Sequence, residues 1–260
     1  MTCHAVQPVR RARRPILLSA PQRDWAYFLD LDGTLMDIAD SPGSARPDPT
    51  LRRLVKGLYR HVGGAVALIS GRSLADVDSL FPGIRLPATG QHGIERRDAR
   101  GRISRHPVSS GELDWARRRL GEAVARRPGL LLEDKGLSLA LHYRRVPYLA
   151  GYAHRLVRSM LAQLGARYTI QTGKRVVELK PAGKDKGVAV LEFMAEEPFR
   201  GRMPVFVGDD ATDEHGFATV NRLHGYSVKV GPGPTTARWR LRDVRAVQRW
   251  LEQARWEAGR

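Results

Sequence analysis

Apolar residues recur along the chain in two rhythms, short unbroken runs and runs spaced by three and four. The run Tyr27-Phe28-Leu29 reads as a buried strand, and Gly33 beyond it as the turn that ends it. From Asp48, the segment Leu51-Arg52-Arg53-Leu54-Val55-Lys56-Gly57-Leu58-Tyr59 predicts an amphipathic helix entered through Pro49 and Thr50. Ala65-Val66-Ala67-Leu68-Ile69 is a second buried strand, ending in Ser70-Gly71-Arg72. Ser73, with Asp76 three residues on, predicts the cap of a short helix. Leu86-Pro87-Ala88-Thr89 then leads to Gly90-Gln91-His92-Gly93. Strands separated by helices predict a parallel α/β sheet.

Past about Glu95 the rhythm changes. A helix is expected over 111–125, then a hairpin of Leu130-Leu131-Leu132-Glu133 and 138–144 turning at Lys135-Gly136. A helix over 148–164 and a hairpin of 168–172 and 175–179, turning at Gly173-Lys174, repeat that plan. This block reads as an α+β module inserted into the sheet domain. The first rhythm resumes with a helix over 186–197, strands at 203–207 and 226–230, and a helix through 245–251. The expected organisation is a disordered basic leader over 1–22, a core domain of 23–97 and 181–260, and an inserted cap over 98–180.

Composition narrows the class. At 260 residues the chain can bury a core in one large domain or two, and 42% hydrophobic with 27% charged residues is ordinary for a soluble globular protein. The sole cysteine, Cys3, excludes an internal disulfide and points to a reducing, cytoplasmic compartment. No apolar run approaches the roughly 18 residues of a membrane span. The start, Val9 to Leu18, is basic but has too short an apolar stretch for a signal peptide, and its likeness to a transit peptide is weak. The net charge of +17 is dispersed as Arg along helix faces such as Arg52-Arg53 and Arg117-Arg118-Arg119. Without interleaved aromatics it speaks for a solvated surface rather than a nucleic-acid platform, and it would help gather a dianionic substrate.

The chemistry concentrates at strand ends. In Asp30-Leu31-Asp32-Gly33-Thr34 the two carboxylates project from one face of an extended tip, where they repel unless a cation neutralises them. The pair suits a Mg²⁺-assisted nucleophile with a partner acid/base, although the same pentapeptide could form a plain acidic turn. Open parallel sheets bind ligands beyond the carboxyl ends of their strands. Asp30/Asp32, Ser70 and Asp209/Asp210 all fall there. Each alone could be a turn or a cap, but capping does not explain them together.

These stretches resemble the haloacid-dehalogenase-type phosphatases, and specifically the trehalose-6-phosphate phosphatase family. The superfamily motifs correspond to Asp30–Thr34, Ser70, Lys186 and Gly208-Asp209-Asp210-Ala211-Thr212-Asp213, in that order. The narrower match rests on Leu68-Ile69-Ser70-Gly71-Arg72, His92-Gly93-Ile94-Glu95, Glu133-Asp134-Lys135-Gly136, His142-Tyr143-Arg144, Val177-Glu178-Leu179-Lys180-Pro181 and Gly208–Glu214. Together they span roughly Tyr27 to Leu251.

The resemblance implies a Rossmann-like parallel-sheet core with an α+β cap, and Mg²⁺-dependent hydrolysis of trehalose 6-phosphate, the last step of trehalose biosynthesis. It implies Asp30 as nucleophile and Asp32 as general acid/base, with Lys186, Ser70 and the backbone N–H groups after it holding the phosphoryl oxygens. Asp30, Asp209 and the Asp32 carbonyl would bind the metal, with Asp210 and Asp213 behind them. Gly71, Arg72, His92, Glu133, Lys135 and Glu178 would contact the substrate, while His142 is expected to pack or hydrogen-bond within the cap sheet. The expected partner is the small-molecule substrate, with no nucleic acid and no membrane, and a monomer is the favoured state. A relative acting on another sugar phosphate, such as sucrose phosphate, or a catalytically silent binding module are the alternatives.

Overall fold

The run Trp25–Leu29 forms strand β1 in the computed structural model of the protein, which describes residues 18–38, 48–107 and 110–254. Residues 1–17 of the expected leader lie outside the described residues. Asp48 caps helix α1 (Pro49–His61) by accepting from the Thr50 N–H, and Leu51, Leu54, Val55 and Leu58 form its buried face. Each such side chain contributes about 1.5–3 kcal/mol on burial. Strand β2 (Val66–Ile69) follows, and Ser73 and Asp76 form the expected capping box of α2 (Leu74–Leu80).

Three strands then run β3 (Ala88–Gly90), β4 (Glu95–Arg97) and β5 (Ile103–Arg105). After the insert come α5 (Lys186–Met194), β10 (Met203–Gly208), α6 (Glu214–Arg222), β11 (Tyr226–Val230), β12 (Trp239–Leu241) and α7 (Val244–Glu252). The eight-stranded sheet has the order β12-β11-β10-β1-β2-β3-β4-β5. Its strands are parallel from β12 to β3, and β4 and β5 extend it antiparallel. β5 therefore belongs to the large sheet, past the expected 97/98 boundary. Helix α5 ends three residues short of the expected Glu197; the backbone before Pro198 is disfavoured from helical geometry.

The inserted block holds α3 (Ser110–Ala125), β6 (Leu131–Asp134), β7 (Leu139–His142), α4 (Ala150–Leu164), β8 (Tyr168–Gly173) and β9 (Val176–Pro181). Its strands form a second sheet, β6-β7-β9-β8, antiparallel throughout. Leu139, Leu141, Val177 and Leu179 pack with Leu113, Leu120, Val157 and Met160 of the two helices into a core of their own. Period-two alternation then turns Ala140, His142, Val176 and Glu178 to the opposite face. The chain leaves this sheet at Pro181, and α5 begins at Lys186.

Candidate active site

The central position of β1, between β10 and β2, brings three strand ends together. Asp30 follows β1, Ser70 follows β2 and Asp209 follows β10, all at the carboxyl edge. A cavity of about 270 Å³ opens there, lined on the large-sheet side by Asp30, Asp32, Gly71, Arg72, His92, Lys186, Asp209 and Asp210. Glu133, Lys135, His142, Glu178 and the cations Arg144, Arg145 and Lys174 line it from the small sheet.

Lys186 is the electrostatic centre of the floor. Its Nζ donates to Asp30 Oδ1 at 2.8 Å and to Asp213 Oδ1 at 2.6 Å, and all three side chains are buried. Asp185 caps α5 by accepting from the Gly187 and Val188 N–H groups, which fixes the first turn that carries Lys186. Burial works against the ammonium charge, but Asp213 and Asp30 outweigh it and raise the Lys186 pKa. Burial holds the Asp30 carboxyl well above the usual carboxylate range despite Lys186, with Asp213 and Asp209 adding to the rise.

Both oxygens of Asp213 accept from protein donors: Oδ1 from Lys186, and Oδ2 from the backbone N–H groups of Asp209 and Asp210. Asp210 caps the following turn by accepting from the Thr212 N–H and hydroxyl. Carboxylate oxygens of Asp30, Asp209 and Asp213 lie within 4.8 Å of one another, close enough for one cation. Because Asp213 is spoken for by protein donors, Asp30 and Asp209 are the pair with oxygen to offer. Gly33 (φ 85°) is required here, since a Cβ would overlap the Asp209 carboxylate.

Burial, reinforced by Asp210 and Asp213, pushes the Asp209 carboxyl up to about 7 in the metal-free protein. Its folded-state pKa exceeds the unfolded value, so the folded state binds the proton more tightly and this group's contribution to stability falls as pH rises from about 4 to about 7. The Tm gained by Asp209→Asn over the wild type in EDTA should therefore be small near pH 4 and grow toward pH 7. A pH series of melting curves checks this, and an unchanging difference would refute it.

Arg72 is not free to meet a substrate in this geometry. It grips Asp32 through two bonds, Nε to Oδ2 at 2.7 Å and a second nitrogen to Oδ1 at 2.6 Å. Ser70 is buried, does not line the cavity, and uses its Oγ to accept from the Arg72 N–H at 3.1 Å. Its structural contribution is thus to shape the 70–72 turn.

The small-sheet residues are also held. Glu178 Oε1 accepts from the Ser138 hydroxyl at 2.6 Å, and Oε2 from Lys135 Nζ at 3.1 Å with His92 Nε2 facing it at 3.6 Å. Burial opposes ionisation of Glu178, but Lys135 and His92 outweigh it and hold its pKa well below the usual range. Burial lowers His92 to about 4, so the imidazole is neutral at pH 7. His142 pairs with Glu133 at 2.7 Å across the β6–β7 hairpin, as expected of a contact within that sheet. Glu133 points into the cavity with its pKa lowered, His142 and Lys135 outweighing burial.

One residue that no sequence signal singled out joins the two sheets. Gln91 is 1% exposed, and its carboxamide donates to the Lys135 carbonyl and lies 3.1 Å from the Ser138 hydroxyl. Gln91 (φ 49°) and His92 (φ 57°) are consecutive non-glycine residues in the left-handed region, each costing about 1–3 kcal/mol. Only tertiary contacts could have revealed this pair.

The trehalose-phosphatase family model matches residues 28–245. The chain is 43% identical over 228 residues to the trehalose-6-phosphate phosphatase of Escherichia coli (strain K12), spanning 88% of this chain and 85% of that protein. It is 41% identical over 215 residues to the probable trehalose-phosphate phosphatase of Sinorhizobium fredii, spanning 83% of this chain and 81% of that one. The C-terminal domain of the C. albicans trehalose-6-phosphate phosphatase shares the fold, with a TM-score of 0.77 at 23% identity over 86% of this chain and 89% of that domain.

Proposed function

Since the chain belongs to the trehalose-phosphatase family, we propose that it hydrolyses trehalose 6-phosphate to trehalose and phosphate through an aspartyl-phosphate on Asp30. The observation that carries this reading is a single cavity lined both by the Asp30–Lys186–Asp209 cluster and by Glu133, Lys135 and Glu178 of the other sheet. The first group suits a phosphoryl centre, and the second suits sugar hydroxyls, which donate well to carboxylates.

Asp30 Oδ2 has no protein donor on the described residues, whereas Oδ1 is fixed by Lys186. Oδ2 attacks phosphorus as the bond from phosphorus to the sugar oxygen breaks, and the leaving oxygen takes a proton from the Asp32 carboxyl. Water then attacks the phosphoryl group, its proton goes to the Asp32 carboxylate, and the bond between phosphorus and Asp30 breaks to release phosphate. The Arg72-paired form of Asp32 is the carboxylate, which suits the second step. The first step needs a proton on Asp32 and therefore release of at least one Arg72 bond. Lys186 and the Gly71 N–H would hold the phosphoryl oxygens where charge spreads, since the Ser70 and Arg72 N–H groups are bonded to the Thr89 carbonyl and Ser70 Oγ.

Asp30 and Asp209, with the Asp32 carbonyl, would hold Mg²⁺, and the clustered carboxylates with raised pKa values fit a divalent cation. When bound, that ion supplies charge neutralisation at the phosphoryl oxygens. Asp210 and Asp213 orient the loop and Lys186. The inserted block from α3 to β9 acts as the cap that selects the substrate and shields the reaction from water. The sole cysteine fits a cytoplasmic setting.

Phosphate release from a panel of sugar phosphates, with Mg²⁺ and an Asp30→Asn control, tests the reading. Selectivity for trehalose 6-phosphate supports it; a preference for another sugar phosphate discards the substrate and keeps the chemistry. Glu133→Ala should raise KM for trehalose 6-phosphate about tenfold or more with a smaller change in kcat, since it removes a charged acceptor from the sugar side. Steady-state kinetics check this, and an unchanged KM would take Glu133 out of the sugar site.

A further inference from the structure

The tip of the β6–β7 hairpin carries Glu133 and Lys135 into the cavity, so its position over the large sheet decides where those charges stand. That tip is closed by the Lys135 N–H donating to the Ser138 carbonyl at 3.0 Å. Gln91 plugs into it from the other sheet. Its Nε2 donates to the Lys135 carbonyl at 2.7 Å, and its Oε1 lies 3.1 Å from the Ser138 hydroxyl. That hydroxyl has one proton, which goes to the nearer Glu178 Oε1 at 2.6 Å and is shared only weakly with Gln91.

The other end of Gln91 is equally committed. Its backbone N–H donates to the Arg72 carbonyl at 2.8 Å, and the next N–H, of His92, donates to the Ser70 carbonyl at 3.0 Å. Lys135 Nζ returns the connection by donating to the Gly71 carbonyl at 3.0 Å. The residue thus spans from the turn that grips Asp32 to the hairpin that carries the sugar-facing charges. The Lys135 carbonyl needs a donor, and the Gln91 carboxamide nitrogen supplies it across the two sheets. A left-handed backbone at two successive side-chain-bearing residues aims the group at the hairpin.

We propose that Gln91 is a positioning residue: it registers the β6–β7 hairpin against the 70–72 turn, and so sets Glu133 and Lys135 at working distance from Asp30. The assignment rests on the phosphatase reading above for its kinetic consequence but not for its structural one. A substrate that uses the sugar-facing charges depends on Gln91; a small phosphate monoester that fits on the large sheet alone does not.

Three variants separate the possibilities. Gln91→Met keeps the volume and loses the bond to the Lys135 carbonyl, Gln91→Glu keeps the shape and turns the donor into an acceptor facing that carbonyl, and Gln91→Asn keeps the polarity but falls a methylene short. Each should lower kcat/KM for trehalose 6-phosphate at least tenfold while leaving p-nitrophenyl phosphate turnover within about twofold. Amide hydrogen exchange across 131–142 should accelerate at least tenfold, with exchange in β1 and α1 unchanged. The exchange measurement needs no substrate, so it decides the hairpin's registration even if wild-type protein fails to turn over trehalose 6-phosphate. Unchanged exchange across 131–142 overturns the proposal. Equal losses on both substrates with a lowered Tm also overturn it, because they would mark a packing role.

Discussion

Asp30→Asn should abolish phosphate release, by about 10⁴-fold or more, while leaving the protein at least as stable as the wild type. The first half follows from the proposed nucleophilic role, because a neutral amide oxygen is too weak a nucleophile to form the acyl phosphate. The second half follows from the surroundings. Asp30 is 5% exposed, and its carboxyl is held above the normal range by burial and by its acidic neighbours. Ionised, it is a cost to the folded state. Asparagine keeps an acceptor for Lys186 at the Oδ1 position and removes one negative charge from the cluster. Phosphate release and a melting curve on the same preparation check both halves. Turnover near the wild-type rate would end the nucleophile assignment, and a large fall in Tm would show that the carboxylate is structural.

The opposite pattern is expected at Lys186. Lys186→Met removes the ammonium that touches both Asp30 and Asp213, and it leaves two buried carboxyl groups without their cation. Breaking a buried pair from one side costs about 3–5 kcal/mol. At about 2–4 °C per kcal/mol for a chain of this size, Tm should fall by roughly 6–20 °C at pH 7.5. Turnover should fall about 10²–10³-fold through loss of a donor to the phosphoryl oxygens. The stability loss should shrink toward pH 5, where the orphaned carboxyls hold their protons at little cost. Adding Asp213→Asn should recover part of it. A Tm unmoved by Lys186→Met at pH 7.5 would contradict the bonding described here.

What could be read from the sequence was whatever is encoded locally. The Asp30-Leu31-Asp32 tip follows a short apolar run, the Ser73–Asp76 box announces a helix start, and Lys135-Gly136 announces a turn. All three stand where expected. Helix α6 escaped notice because it begins inside the acidic motif and carries Gly216, which lets Phe206 pack against its backbone. Strands β4 and β5 escaped because Glu95-Arg96-Arg97 and Ile103-Ser104-Arg105 show no apolar alternation. Arg97 is buried there at 1% exposure by pairing with Asp78 and donating to the Leu86 carbonyl, partners distant in sequence.

The site shows the same division. Residue types and their order pointed to the cluster around Asp30, since each member sits at a strand end and strand ends are local features. Pairings were another matter. Nothing in the sequence couples Arg72 to Asp32, or Gln91 to a hairpin tip more than forty residues away. Those depend on strand order and on how one sheet sits over the other.

The exit from the small sheet bears on how such a chain can diversify. Residues 182–185 are the only backbone between β9 and the helix turn that presents Lys186 to Asp30. The inserted module can change its loops, its strand-face residues and even its helices without disturbing that lysine, as long as this short exit keeps its length and Asp185 its cap. New substrate preferences are therefore open to inheritance by whole-module exchange, whereas a single added residue at the exit would shift the floor of the site itself.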